Sequence, residues 1–204
     1  MVKIEKVSVV GWEPAIRGMR NPMNSWDKMD SDFSQDILGY DDLSLAKKLR
    51  EAGTDHRKYL RMIDVYLDIT APLYWWKEFD TYKVGTVANS CSTMHKIHSK
   101  EFTLEDFSCE HLSKGEYGNI ELMKSIIVCL NNAREWFNAT KDKDFWWQMI
   151  QLLPSSYNQK RTVKLNYEVL CNIYKSRNSH KLDEWRKFCR WIETLPYSEL
   201  ITKE

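Results

Sequence analysis

The hydrophobic positions of the chain follow two different periods, and each period predicts a different kind of element. Residues 63–69 alternate strictly between apolar and polar side chains, which places one face toward a core and predicts a half-buried strand. Residues 4–10 indicate an earlier strand that ends at Gly11-Trp12. Pro72 stands where a helix following the second strand would begin, since proline suits the first helical turn.

The C-terminal half has the period of helices instead. Apolar side chains recur there every three or four residues, which predicts four amphipathic helices. These segments are 122–137, 145–153, 159–177 and 182–192. Early strands followed by late helices predict an α+β domain, with a mixed or antiparallel sheet packed against a helical layer.

Three shorter segments complete the predicted organisation. Asp42 is expected to cap a helix that stops at Gly53, because aspartate favours N-caps and glycine favours helix ends. Residues 13–40 contain many turn-forming residues and are expected to form a long loop with short helical turns. Residues 84–94 are small and polar, which indicates a loop or a weak strand.

Composition narrows the class of protein. The 204 residues fit one domain or two small ones. With 30 basic against 29 acidic residues, the chain has no basic excess of the kind that nucleic-acid binders show. Five cysteines without a CxxC pair argue against a disulfide framework or a structural zinc site. The chain shows no signal peptide and no apolar run of membrane-spanning length, so we expect a cytoplasmic protein that binds neither nucleic acid nor membrane.

Few side chains form a chemical motif on their own. Cys91, His95 and His98 would share a face if that stretch were helical, but the spacing is unspecific, and a partly buried cysteine beside surface histidines is the preferred interpretation. The pairs Trp75-Trp76 and Trp146-Trp147 are expected to be core residues rather than stacking platforms.

A stripe on the predicted third helix is a weaker candidate. Asn166, Leu170, Ile173 and Arg177 would lie on one face, with the two polar ends roughly 16 Å apart. Such a face could hold the two ends of an extended ligand. Taken alone, a helix-start asparagine and an exposed arginine are the preferred explanation of this pattern.

Four segments in order resemble the flavin-dependent thymidylate synthases, the ThyX family. The matching run covers about residues 43–195. Its segments read LSLAKKLREAGTDHRKYLRM (43–62), IDVYLDITAPLYWWKEF (63–79), the signature position at 80–94, and LLPSSYNQKRTVKLNYEVLCNIYKSRNSH (152–180). In the last segment Leu153-Pro154, Asn166, Asn172 and Arg177 match the spacing of the family's pattern. The chain is therefore interpreted as one ThyX-like domain, in which residues 1–42 precede the core and 196–204 form a tail.

The signature itself departs strongly from the family's R-H-R-x-x-S-x-N-E-x-S-x-R-Y. The positions of its defining side chains are occupied by Thr81, Tyr82, Lys83, Thr86, Ala88, Asn89, Cys91, Thr93 and Met94. Elsewhere, Ile150 and Glu168 replace two arginines, Lys77-Glu78 replaces an Arg-Gln pair, and His180 stands one residue closer to Arg177 than the family's histidine. Each lost charge-assisted contact removes roughly 1.5–3 kcal/mol of ligand binding.

The resemblance implies a fold, ligands and site residues. It implies an α+β fold, a homotetramer with active sites between subunits, and reductive methylation of dUMP using FAD, NADPH and methylenetetrahydrofolate. The residues that carry over are Lys83, Asn166, Asn172 and His180 for the flavin, Arg177 and Lys77 for the substrate, and Cys91 beside the pyrimidine, where its thiol could attack a ring carbon.

Two alternatives from other classes stay open at this stage. The motif losses favour a catalytically inactive scaffold with the same fold that binds a nucleotide, another ligand or a protein. If the likeness were accidental, the chain would be a helical interaction protein without a ligand.

Overall fold

The computed structural model describes residues 2–115 and 118–203. Within them the chain forms eight α-helices and four β-strands, so the predicted α+β class is confirmed. In chain order these are β1 (Lys3–Val10), α1 (Trp12–Arg20), α2 (Tyr40–Glu51), β2 (Asp64–Pro72), α3 (Leu73–Phe79), β3 (Val87–Ser90), α4 (Asn119–Thr140), α5 (Lys143–Leu152), β4 (Asn158–Asn166), α6 (Tyr167–Arg177), α7 (Asp183–Ile192) and α8 (Glu199–Thr202). Short 3-10 turns lie at Asn21–Met23, Trp26–Lys28, Lys58–Met62 and Leu104–Asp106.

The four strands form one antiparallel sheet in the order β1-β2-β4-β3. The register of β2 against β4 is visible at both ends, because the Tyr167 N–H donates to the Ile63 carbonyl at 3.1 Å and the Leu73 N–H donates to the Tyr157 carbonyl at 3.0 Å. Residue numbers rise along one strand as they fall along the other, which defines an antiparallel pair. The alternating pattern of residues 63–69 thus forms a half-buried strand, as predicted, and this strand has a neighbour on each side in the sheet.

The predicted third helix is wrong in its first half, because Asn158–Asn166 forms strand β4. Its valine and leucine, Val163 and Leu165, are both fully buried two residues apart, which is the period of a strand. The mixture of polar and apolar residues in this segment fits a helix or a strand in the sequence. In the structure, pairing with β2 makes it a strand.

The N-terminal region is more ordered than a long loop. Residues 12–20 form helix α1, whose Trp12, Ala15, Ile16 and Met19 are buried at spacings of three and four. The remaining residues up to 39 contain only short turns and one isolated bridge between Asp32 and Ile37.

Asp42 does not cap helix α2, which begins at Tyr40 after Gly39. Its carboxylate is fully buried and accepts from the Arg20 Nε at 2.6 Å and from the Ser31 hydroxyl at 2.6 Å. An ion pair this deeply buried satisfies both charges internally, so Asp42 organises the preceding loop rather than the helix end.

The chain divides into two compact units. The first comprises Met1–Lys3, Ile69–Asp80 and Asn89–Arg161. Its core lies largely under the helical pair α4 and α5 and is formed by Ile97, Phe102, Phe107, Met123, Ile127, Leu130, Ala133 and Met149. Trp75 and Trp76 of α3 are also fully buried, which confirms them as core residues.

Of the Trp146-Trp147 pair, Trp146 packs against this core, as expected, and Trp147 does not. Trp146 is half-buried, with its indole N–H donating to the Met94 carbonyl at 3.0 Å, and Trp147 is exposed. Helix α5 also turns Met149 and Ile150 toward the core, so one stripe of this apolar helix is covered and the side with Trp147 is not.

The second unit comprises Ile4–Asp68, Thr81–Ala88 and Thr162–Glu204. Its core contains Leu170 and Ile173 of α6 together with Trp185 and Phe188 of α7, all fully buried. The ring of Trp12 packs edge-on against Tyr167 at 5.4 Å between centroids, which joins α1 to the start of α6. Among the described residues, no helix combines the length and apolar character needed to cross a membrane.

Candidate functional site

A cavity of about 570 Å³ lies in the second unit and is rich in cations. We call it the basic cavity. It is lined by Arg50, Glu51, Gly53, Thr54, Arg57, Cys171, Asn172, Tyr174, Lys175, Ile201, Thr202 and Lys203. Four of these side chains are basic and one is acidic, so the cavity favours an anionic ligand.

Three segments bring these cations together. Helix α2 ends at Glu51, and the chain turns at Gly53, where a φ of +103° suits glycine. That turn places Arg57 facing helix α6, whose exposed side carries Asn172 and Lys175. The short helix α8 closes the third side.

Two of the four cations are anchored by the protein itself. Arg50 donates from Nε to the Leu200 carbonyl and from Nη2 to the Ile201 carbonyl, both at 3.2 Å. These neutral carbonyls orient the guanidinium, and among the described residues no carboxylate forms an ion pair with it. Arg57 contacts Glu168 with 2.9 Å between Nε and Oε2 and 3.0 Å between Nη2 and Oε1.

The other two cations are lysines at the rim. Lys175 and Lys203 are exposed, and within residues 2–115 and 118–203 neither makes an ion pair. Below them, burial raises the pKa of the Cys171 thiol to about 11, although the Arg57 charge acts in the opposite direction. Cys171 is therefore a neutral thiol near neutral pH and lines the cavity as a small apolar group.

A second polar group surrounds Arg177. It consists of Arg177, His180, Tyr82 and Trp185, and we call it the Arg177 cluster. The Arg177 Nε donates to the Tyr82 hydroxyl at 3.0 Å, and its Nη1 lies 3.0 Å from the His180 Nε2. The guanidinium carbon also lies 4.8 Å from the Trp185 ring centroid, within cation–π range. Arg177 is half-buried and engaged by side chains of its own chain.

Asn166 and Lys83 are not part of either group of contacts. Asn166 is buried, and its Oδ1 accepts from the Val169 N–H at 3.0 Å, which makes it the N-cap of α6. Lys83 is exposed on the turn before Gly85. A Cβ at Gly85 would lie 2.9 Å from the Asn166 Nδ2, so this turn packs closely on the helix start.

The preferred interpretation of Asn166 as a helix-start residue is confirmed, and residues 166–177 present no continuous exposed stripe. Leu170 and Ile173 face the core with no exposure, and Asn166 precedes the helix as its cap. The exposed side of α6 carries Asn172 and Lys175 instead.

Cys91 and Lys77 lie in the first unit. Cys91 follows β3, where its N–H donates to the Lys160 carbonyl at 2.9 Å and its carbonyl accepts from the Gln159 side chain at 2.8 Å. Its side chain is exposed, not partly buried as expected, at the edge of a cavity of about 330 Å³ that also includes Tyr157. Lys77 is exposed on α3.

The stretch from Cys91 to His98 is not helical, so its cysteine and histidines do not share a helix face. Instead, the Ser92 hydroxyl accepts from the Met94 and His95 N–H groups in a tight turn. The His98 ring packs against Phe137 at 4.8 Å between centroids. Across residues 2–115 and 118–203, no cluster of three His, Cys, Asp or Glu side chains could hold a metal ion.

Of the residues expected to bind ligand, the structure brings Arg177 into contact with His180 and places Asn172 in the basic cavity. Sequence reasoning missed four cations of that cavity, Arg50, Arg57, Lys175 and Lys203. The first two stand in the segment 43–62 that carried the resemblance, so the signal was present there. The last two are isolated surface lysines, which nothing in the sequence distinguishes from others.

Solved structures with the same fold are known. A flavin-dependent thymidylate synthase ThyX from Helicobacter pylori, complexed with FAD and dUMP, superposes with a TM-score of 0.74 at 15% identity over 98% of this chain and 97% of that one. A second structure of the same kind, also with FAD and dUMP, gives 0.72 at 16% identity over 100% and 98% of the two chains. The UMP/dUMP methylase PolB from Streptomyces cacaoi, bound with 5-Br dUMP, gives 0.63 at 14% identity over 99% and 95%.

No protein-family model matches the chain, and no curated protein sequence matches it. At this level of identity, the structural likeness establishes the fold alone.

Proposed function

The chain has the fold of the flavin-dependent thymidylate synthases, and we propose that it binds a flavin nucleotide and a uridine nucleotide. The observation that carries this proposal is the basic cavity around Asn172, one of the residues expected to contact the flavin. Each of the three structures described above holds dUMP or its brominated analogue, and two of them hold FAD. The likeness extends over nearly the full length of both partners, so it involves the whole fold.

The side chains present fit the phosphates of a flavin nucleotide. Arg50 is oriented by two carbonyls, and Lys175 and Lys203 are exposed at the rim without an ion pair to any residue that the structure describes. The cavity volume of about 570 Å³ lies within the ~300–1,000 Å³ of typical small-molecule sites. In this proposal Arg50, Lys175 and Lys203 contact the phosphates, and the Asn172 amide donates to or accepts from the flavin.

The reaction that goes with these two ligands is reductive methylation of dUMP. When bound, FAD would relay hydride from NADPH, and methylenetetrahydrofolate would supply the carbon. Arg177 is proposed to bind the substrate phosphate, with His180 beside it, and Lys77 and Lys83 are proposed as additional anion contacts. Cys91 is proposed to lie by the pyrimidine, where an exposed thiol can act as a nucleophile toward a ring carbon.

A second candidate keeps the ligands and lacks the reaction. It is favoured by the Arg177 cluster, in which the arginine is already engaged by Tyr82, His180 and Trp185. Binding a phosphate there requires that these contacts be exchanged, which lowers the net gain of each new hydrogen bond. The protein would then act as a nucleotide-binding scaffold that self-associates.

The absorbance spectrum of the purified protein, with mass spectrometry of what heat releases, tests the binding step. We expect a flavin spectrum as purified or after adding FAD, and a rise in apparent stability with FAD and dUMP, because a ligand of the native state stabilises it. Lys175→Glu should reduce both signals, while Lys143→Glu, the same change on helix α5, should not. A colourless protein that takes up neither ligand would refute the proposal.

Turnover separates the two candidates once binding is established. Formation of dTMP from dUMP with FAD, NADPH and methylenetetrahydrofolate would support the enzyme. Its loss in Cys91→Ala, with FAD binding retained, would assign a chemical role to the thiol. Tight binding without product would support the scaffold.

A further inference from the structure

Tyr174 is the aromatic side chain that lines the basic cavity. It lies on helix α6, is half-buried, and shares the cavity wall with Asn172 and Lys175. A nucleotide needs both kinds of contact, because its base stacks on an aromatic ring while its phosphates meet cations. The cations of this cavity have a part in phosphate binding, and the ring of Tyr174 has none so far.

The Tyr174 ring is fixed by its hydroxyl group. That hydroxyl donates to the Glu193 Oε1 at 2.8 Å, at the residue that ends helix α7. The same hydrogen bond raises the pKa of Tyr174, so the phenol stays neutral and does not repel a phosphate. Among the residues that the structure describes, no other aromatic ring packs against Tyr174. The ring is therefore oriented at its tip and is not already stacked.

The helix sets the order of the groups along the cavity wall. Successive residues of an α-helix are about 100° apart around its axis, so Asn172 and Tyr174 lie about 160° apart. Lys175 and Cys171 fall between them, and all four line the cavity. A ligand that follows this wall meets an amide, then a cation, then an aromatic ring.

We propose that Tyr174 stacks on adenine, so that the basic cavity binds the adenosine diphosphate half of FAD through a ring as well as through its charges. FAD consists of two ring systems joined by a diphosphate, which is the order of contacts along α6. The adenine lies on Tyr174, the diphosphate over Lys175, and the flavin toward Asn172. The position of the flavin rests on the proposed function, whereas the adenine position is carried by Tyr174 itself.

The floor of the cavity suits a purine better than a free phosphate. Cys171 and Ile201 are buried at 5% and 2% exposure and line the cavity beside Tyr174. Both present apolar surface, on which the face of a base gains contact and an inorganic anion gains none. A site made only to hold phosphate needs neither this surface nor an oriented ring.

Titration calorimetry of the full chain with ADP and with inorganic pyrophosphate tests the role of the ring. Tyr174→Leu should weaken ADP binding at least about fivefold, because it removes base stacking, and should leave pyrophosphate binding unchanged. Tyr174→Phe keeps the ring and loses only the bond to Glu193, so it should bind ADP like the wild type. Tyr40→Leu is the matched control, since it removes a tyrosine that is 84% exposed at the start of α2.

Three results would overturn the stacking role. A wild-type chain that does not bind ADP is the first. The second is a Tyr174→Leu variant that binds ADP as the wild type does or loses pyrophosphate to the same extent, since the side chain would then be structural. The third is an equal loss of ADP in Tyr174→Phe, because the bond to Glu193 and not the ring would then be responsible.

FAD and FMN separate the stacking role from the proposed function. Tyr174→Leu should weaken FAD at least about fivefold and leave FMN, which has no adenine, unchanged. A chain that binds ADP through Tyr174 but takes up neither flavin would support the stacking role and refute the flavin site. FAD binding that is insensitive to Tyr174→Leu would overturn the stacking role and leave the flavin site in place.

Discussion

The basic cavity and the Arg177 cluster lie along the same helix, α6, and use their cations in opposite ways. In the cluster, Arg177 is half-buried and its donors meet Tyr82 and His180 of the same chain. In the cavity, two lysines stand in solvent and Arg50 is oriented by neutral carbonyls. A residue that matches a family pattern can thus be occupied internally, while unmatched neighbours hold the charge that is available to a ligand.

The largest expected effect concerns the one cation of the cavity that is internally paired. Arg57→Ala leaves Glu168 as a mostly buried carboxylate without its partner, and removing one member of such a pair costs about 3 kcal/mol or more. Urea unfolding followed by tryptophan fluorescence measures this loss. Glu168→Gln is the matched variant for the other partner. If the urea midpoint of Arg57→Ala were unchanged, the pair with Glu168 would not stabilise the fold, and the charge of Arg57 would be available to a ligand like that of the lysines.

The second prediction addresses the two rim lysines. Lys175→Glu combined with Lys203→Glu should weaken FAD binding at least a hundredfold, because each lost charge-assisted contact removes about 1.5 kcal/mol or more and each new carboxylate repels phosphate. Titration calorimetry gives the affinity at fixed ionic strength. Lys143→Glu provides the same change of charge far along the sequence in the first unit. Equal affinities for the double variant and the wild type would remove the distinction between the two regions.

A smaller effect is expected in the cluster. Tyr82→Phe removes the hydroxyl that accepts from the Arg177 Nε, at a cost of about 1 kcal/mol in unfolding free energy. FAD affinity in the basic cavity should stay the same. If Tyr82→Phe instead changed FAD affinity as strongly as the lysine variants, the two regions would form one functional site.

A separate effect, seen only at alkaline pH, is a pH dependence of stability that arises in the basic cavity. Burial raises the pKa of Cys171 from 9.0 to about 11 in the folded chain, so the folded state holds the thiol proton more tightly than the unfolded state. Its contribution to stability is complete below pH 9 and is lost as pH rises from about 9 to 11. Unfolding free energies across this range should fall less in Cys171→Ala than in Cys91→Ala, whose thiol is exposed.

The sequence predicts most elements of the fold because their periods are unambiguous. The alternation in residues 63–69 and the spacing of three and four in residues 122–137 each allow only one assignment. Residues 158–166 do not, since polar and apolar side chains there fit a helix or a strand until β2 supplies a partner. Asp42 was misassigned for a similar reason, because its buried partner Arg20 is 22 residues away and local capping rules cannot reveal it.

The candidate site is less predictable than the fold. The spacing of Asn166, Asn172 and Arg177 identifies helix α6, yet it does not show that Asn166 is the helix cap, that Asn172 faces the cavity and that Arg177 is held by Tyr82. Those differences depend on which side of the helix is covered by other segments. Lys203 enters the cavity only because helix α8 folds back beside α6.

Asn166 ends strand β4 and caps helix α6 at the same time, so no linker separates the sheet from the helix. The start of helix α6 is therefore attached directly to the sheet. Asn172 and Arg177 are separated by about 7.5 Å along the axis of α6, and this separation can change only if the helix itself deforms. If Asn172 and Arg177 each hold a ligand, the helix therefore fixes the distance between the two ligands.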